Sequence, residues 1–106
     1  MVIVETSVFS RRIQELMSDD AYMELHEALV TRPNLGELIP GSGGLRKMRW
    51  GLKGRGKRGG VRLIYYWAVA SEQIRMLYVY PKRRQEDLTL AQLDALRGVI
   101  ERWDDE

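Results

Sequence analysis

The sequence predicts an α+β domain: a small antiparallel sheet of about four strands, with two helices before it and one after it. Three observations lead there. Apolar residues recur at helical spacing near both ends of the chain, whereas the middle alternates like strands. Turn-forming residues separate the strand-like runs. At 106 residues and 44 % hydrophobic content, the chain supports one core, and it shows no repeat or linker that would mark a second domain. Residues 1–106 are therefore read as one domain, with its helices expected on one face of the sheet.

The elements follow in order. VIVET at residues 2–6 is short and β-branched, which favours a strand. In SVFSRRIQELMSD, Phe9, Ile13, Leu16 and Met17 share one helical face. Ser18 is placed to cap a second helix, whose first turn carries Asp19 and Asp20 and whose buried face carries Tyr22, Leu25 and Leu29. Pro33, Asn34, Gly36, Pro40 and Gly41 then make a long loop. LRKMRW at 45–50 alternates, so that Lys47 and Arg49 point to one face and Arg46, Met48 and Trp50 to the other. The glycine-rich run GLKGRGKRGG forms a loop. VRLIYYWAV at 61–69 and QIRMLYVY at 73–80 are strands joined by a turn at Ala70, Ser71 and Glu72. Thr89 with Gln92 makes a capping box, Leu88 and Leu93 a hydrophobic staple, and Leu93, Leu96, Ile100 and Trp103 the apolar face of a last helix.

The net charge of +2 conceals a segregated pattern. Residues 1–37 carry three basic and seven acidic side chains, residues 38–84 twelve and one, and residues 85–106 two and seven. The stretch 41–62, GSGGLRKMRWGLKGRGKRGGVR, holds eight Lys or Arg and no Asp or Glu. Such density creates a local field that attracts polyanions. Strand parity joins Lys47 to Arg49. A hairpin brings Arg62 back near them, and Lys82, Arg83 and Arg84 follow the last strand, so that a meander gathers these groups at one end of the sheet. Arg46, Lys53, Arg55, Lys57, Arg58 and Arg84 supply further contacts for a nucleic-acid backbone.

Other chemistries are excluded or weakly supported. The chain has no cysteine, so disulfides and thiolate metal sites are out, and one histidine leaves little for zinc: no metal site and no cofactor are expected. The glycine-rich stretch lacks the GxxxxGK[ST] pattern of a P-loop. His26 lies on a predicted helix among Glu24 and Glu27 and reads as a surface or boundary residue. Tyr65, Tyr66, Trp67, Tyr78 and Tyr80 are mostly core by alternation, and the acidic residues at 101–106 read as a solvated end. The N-terminus carries neither a signal peptide nor a membrane span, which gives a cytoplasmic expectation.

The run PGSGGLRKMRWGLKGRGKRGGVRLIYYW, followed by YVYPKRRQEDLT and a final helix, resembles the RelE superfamily of bacterial toxins, and within it the HigB branch of type II toxin–antitoxin systems. The resemblance spans nearly the whole chain. It implies a ribosome-dependent mRNA endoribonuclease that cuts the codon in the A site. It also implies a cognate antitoxin with a helix-turn-helix domain, through which alone the pair would touch operator DNA. It implies no membrane partner. The family's paired basic residues fall on Lys47 and Arg49, its strand-opening arginine on Arg62, and its basic residue after the last strand on Arg83, with Lys82 beside it. The family's tyrosine near the start of the last segment has no counterpart at Leu88 or Thr89; Tyr80 and Trp50 are the aromatic alternatives.

Cleavage by the RNA's own 2′-hydroxyl requires proton removal, protonation of the leaving oxygen and stabilisation of the phosphorane. The resemblance and the charge cluster together assign Lys47 or Lys82 as base, Arg62 as phosphate clamp, Arg83 as acid or charge stabiliser and Arg49 as positioning group. A lysine serves as base where like charges disfavour its protonated form. Two rival readings are a ParE-like toxin acting on DNA gyrase and a non-catalytic RNA- or ribosome-binding module.

Overall fold

The structure, a computed structural model, describes residues 1–51 and 60–103. Strand β1 (Val2–Glu5) leads into helices α1 (Ser7–Leu16) and α2 (Asp19–Thr31). Strands β2 (Glu37–Leu38), β3 (Leu45–Trp50), β4 (Val61–Ala68) and β5 (Gln73–Pro81) follow, and then helix α3 (Leu90–Arg102). The sheet has five strands in the order β1-β5-β4-β3-β2. The β3–β4–β5 meander is antiparallel as expected, whereas β1 runs parallel to β5. β2 is an addition to the expected set. Two residues are too few for any periodic signal, so the sequence showed only loop there.

Helix boundaries obey local capping. Thr6 Oγ1 accepts from the Phe9 N–H at 3.1 Å and donates to the Leu77 carbonyl at 3.1 Å, which ties the start of α1 to β5. Ser18 caps α2 by accepting from the Ala21 N–H. The Thr89–Gln92 box closes reciprocally at α3, at 3.0 and 3.1 Å. Each such cap satisfies backbone donors that a helix start otherwise leaves open.

The expectation of helices on one face is corrected. Phe9 and Ile13 of α1, with Leu25 and Leu29 of α2, pack on Met48, Leu63, Tyr65, Met76 and Val79. Leu93, Leu96, Ile100 and Trp103 of α3 pack on Leu45, Ile64, Leu77 and Tyr80, which point the other way. β4 is buried along most of its length, Val61 through Tyr65 without a break. A strand apolar on both faces requires cover on both. A shift of register between Ile64 and Tyr65 leaves Leu77 as the extra residue on β5. That bulge lets Leu77 fill the α3 side.

Candidate functional site

Register decides which cations meet. Arg49 lies directly opposite Arg62, and Arg62 opposite Tyr80. Lys47 is two residues from Arg49, so Lys47, Arg49, Arg62 and Tyr80 share the face that carries α3. Like charges directly across a strand pair are destabilising, so the Arg49–Arg62 pair calls for counter-charge. Lys82 stands two residues beyond Tyr80, with its N–H bonded to the Gly60 carbonyl at 3.2 Å, and thus leaves the sheet at the same end. Arg83 and Arg84 are exposed in the turn that follows.

Arg62 is the most constrained member. It is only 5 % exposed, and its Nε is buried without a hydrogen-bond partner. Nη1 faces Asp87 Oδ1 at 3.6 Å and Nη2 faces Glu86 Oε2 at 3.8 Å; Lys47 Nζ reaches the same Asp87 oxygen at 3.3 Å. Charge-assisted hydrogen bonds are shorter, about 2.7–2.9 Å. The guanidinium is therefore desolvated by the fold and only loosely neutralised. Tyr80 lies beside it, buried, with its hydroxyl 3.4 Å from the Glu86 carbonyl. Burial pushes the Tyr80 phenol up, against an opposing pull from Arg62. Tyr80 is thus a neutral neighbour within the core, and no face of it is open for base stacking. Glu86 and Asp87 are site members that the sequence reading missed. The signal was the QED triplet immediately before the capping box, which the charge pattern assigned to an acidic flank.

An open cleft of about 450 Å³ adjoins this face, lined by Leu35, Glu37, Lys47, Met48, Arg49, Trp50 and Arg62. It opens where β2, which pairs only with Arg46 and Lys47, ends, so that among the described residues no strand pairs with that edge of β3 from Met48 onward. Gly36 allows β2 to come so close. A Cβ there would sit 2.8 Å from the Tyr65 ring and 2.9 Å from the Lys47 carbonyl. The Gly36 N–H donates to the Tyr65 hydroxyl at 2.7 Å, and that hydroxyl donates to the Pro33 carbonyl at 2.8 Å. The loop is thereby pinned and Glu37 set at the rim, another carboxylate that the sequence reading passed over. Trp50 is half-buried and reaches the cleft, so it remains the available aromatic surface.

Two groups of predicted residues stand apart. Arg46 points to the opposite face, as its parity predicts, where its Nη1 donates to the Gly36 carbonyl at 2.7 Å; it anchors the loop and lies apart from the cation cluster. Lys53, Arg55, Lys57 and Arg58 lie outside the described residues. His26 is remote from the cluster, as expected. It stacks edge-on against Tyr22 at 4.1 Å, and burial lowers its pKa against an opposing effect of Glu5. Glu5 in turn accepts from the Tyr22 hydroxyl and the Ser10 hydroxyl, a network that joins β1 to both N-terminal helices.

No family model matches the sequence. Among solved structures, the chain is similar to a form of the E. coli toxin RelE in the free state carrying two arginine-to-alanine substitutions. The TM-score is 0.57 at 15 % identity, over 80 % of this chain and 86 % of that one. The fold is RelE-like. In this RelE-like frame, the sheet end bearing Lys47, Arg49 and Arg62 is open on the cleft side and bordered by the β5–α3 connection on the other. Among the described residues, no helix is long and apolar enough to cross a membrane.

Proposed function

We propose that this protein is the toxin of a type II toxin–antitoxin system and cleaves mRNA in the ribosomal A site as an endoribonuclease. The observation that carries the reading is Arg62: a buried, under-satisfied guanidinium facing an open cleft, opposite Arg49 and within one carboxylate of Lys47. An arginine fork matches the oxygens of a phosphodiester. The sequence resemblance and the RelE-like fold support the same reading.

In the proposed reaction the ribose 2′-oxygen attacks the adjacent phosphorus. The new O–P bond forms as the bond to the 5′-oxygen breaks, leaving a cyclic phosphate and a 5′-hydroxyl. Lys47 or Lys82 takes the 2′ proton, and Arg83 assists the departing 5′-oxygen. Arg62 grips the phosphate oxygens as charge builds on them, and Arg49 holds the phosphate in line. Arg84, Lys53, Arg55, Lys57 and Arg58 add sequence-independent backbone contacts. The ribosome supplies much of the substrate alignment. The setting is the cytoplasm, and the partner is an antitoxin with a helix-turn-helix domain. The HigB branch is the assignment within the superfamily.

The test is brief induction in cells followed by mapping of transcript 5′ ends, for the native protein and for Arg62→Ala. Native protein yields cuts within translated codons. The alanine variant, folded by circular dichroism, loses cleavage by about 100-fold or more. Full toxicity in the folded variant overturns the clamp assignment. DNA damage without transcript cuts selects gyrase poisoning instead, and ribosome binding without cuts selects a non-catalytic module.

A further inference from the structure

The carboxylates beside Arg62 have a geometry of their own. A single oxygen of Asp87 faces both Lys47 Nζ and Arg62 Nη1, at 3.3 and 3.6 Å, while Glu86 faces the second guanidinium nitrogen. One anionic oxygen shared between a lysine and an arginine is the arrangement that a non-bridging phosphate oxygen would adopt. Yet Arg62 is buried, whereas the Glu86 and Asp87 side chains are 75 % and 65 % exposed. The cation is built into the sheet; its counter-ions reach it from outside.

The segment that carries them suits a removable part. Residues 82–89 connect β5 to α3 without helix or strand. Its two ends are fixed, one by the sheet and one by the capping box of α3. Gln85 braces it, donating from Nε2 to the Asp87 carbonyl at 2.8 Å and to Gln92 Oε1 at 2.9 Å. The backbone is held while the acidic side chains stay largely exposed. The ion-pair distances are too long for strong hydrogen bonds, so a tetrahedral anion able to bond Arg62 and Lys47 at closer range would win the contest.

We propose that Glu86 and Asp87 form an acidic strap that occupies the anion site of the free protein and is displaced by an RNA phosphodiester. The inference rests on the phosphate-binding reading of Arg62 given above. The strap lowers affinity for isolated anions and short RNA. A ligand that presents several phosphates in register, as a message does, overcomes it.

The full chain serves as the test material, and the probe is a short single-stranded RNA made uncleavable by 2′-deoxy substitution. Affinity is measured for the native protein, for Glu86→Gln with Asp87→Asn, for Arg62→Ala, and for all three together. A charge-matched control carries Glu27→Gln with Glu101→Gln, which removes the same charge away from the cleft. The strap variant is expected to bind about three- to tenfold tighter than the control, the gain expected from freeing partly exposed ion pairs, and the gain disappears when Arg62 is alanine. The single variants Glu86→Gln and Asp87→Asn, each retaining one counter-ion, give intermediate gains and serve if the double variant is unstable. An affinity gain equal to the control's overturns the strap. So does weaker binding of the strap variant, which would make the carboxylates part of the RNA-handling machinery. If Arg62→Ala leaves RNA affinity unchanged, the phosphate clamp itself falls; if that variant weakens binding but the strap variant gains nothing, only the strap falls.

Discussion

Tyr65 links the core to the site through one hydroxyl. Its ring is fully buried under the N-terminal helices, and its oxygen accepts from the Gly36 N–H and donates to the Pro33 carbonyl. Both partners belong to the loop that delivers Glu37 to the cleft. Tyr65→Phe leaves the ring's packing but orphans a buried N–H and a carbonyl. Unfolding in urea should show a loss of about 1–3 kcal/mol. A change below about 0.5 kcal/mol would mean that the loop is held by its other bonds, that of Arg46 to the Gly36 carbonyl and the pairing of β2 with β3. At this scale the sequence was informative wherever a strand's two-residue period applied. Lys47, Arg49 and Arg62 were placed together by parity, and the register agrees. Glu37, Glu86 and Asp87 were not, because they sit in or beside connections with no period to fix where a side chain points. Arg46 was grouped by charge with RNA contacts although its parity already set it on the opposite face from Lys47.

Among the elements, α3 depends most on its termini. None of its residues is fully buried, so it lies on the sheet through half-buried contacts. Its first turn is fixed by the Thr89–Gln92 box, with the Leu88 and Leu93 staple packed on the same cluster. Its far end is held where the Arg75 guanidinium lies 4.7 Å from the Trp103 ring centroid. Loss of the first-turn anchor therefore acts on more than the helix, since the strap hangs between β5 and Thr89. Thr89→Ala should cost about 1 kcal/mol of stability, read from thermal or urea unfolding. Amide exchange should quicken over residues 85–93 first, and in the core of β4 only to the extent of the global loss. Equal acceleration in both would show that α3 and the sheet unfold as one unit. The capping box was legible because its residue types and spacing are local. The face on which α3 lands was not. The last helix has one apolar stripe, and a stripe alone does not say which side of a sheet it covers. The decisive clue was the run LIYYW in β4, too apolar for a strand with one wet face.

For the molecule as a whole, the charge pattern and the fold point to the same binding geometry. Among the described residues, helices cover both faces of the sheet, so a large ligand reaches the buried Arg62 where cover stops: past the end of β2, beside β3 from Met48 to Trp50. Glu37 lines that opening, Glu86 and Asp87 face Arg62 beside it, and Glu15, Asp20 and Glu24 of the N-terminal helices line a neighbouring cleft that shares Trp50. The most basic stretch of the sequence, 41–62, includes the opening's three cations, Lys47, Arg49 and Arg62. On the proposed function, an extended RNA is drawn toward these cations and kept from the acidic flanks. Affinity for single-stranded RNA should fall as salt rises, with a logarithmic slope of about −0.7 for each phosphate neutralised. Replacing Lys57 and Arg58 together by alanine should therefore flatten the slope by about 1.4 while sparing cleavage chemistry at saturating substrate. Replacing Arg62 should do the reverse, removing cleavage for a slope change of no more than about 0.7. Binding across a salt titration and single-turnover cleavage at saturation, measured on the same variants, separate the two roles. Identical slopes for native protein and the Lys57/Arg58 variant would place the RNA path elsewhere on the surface and leave the cleft as a binding site for an isolated phosphate.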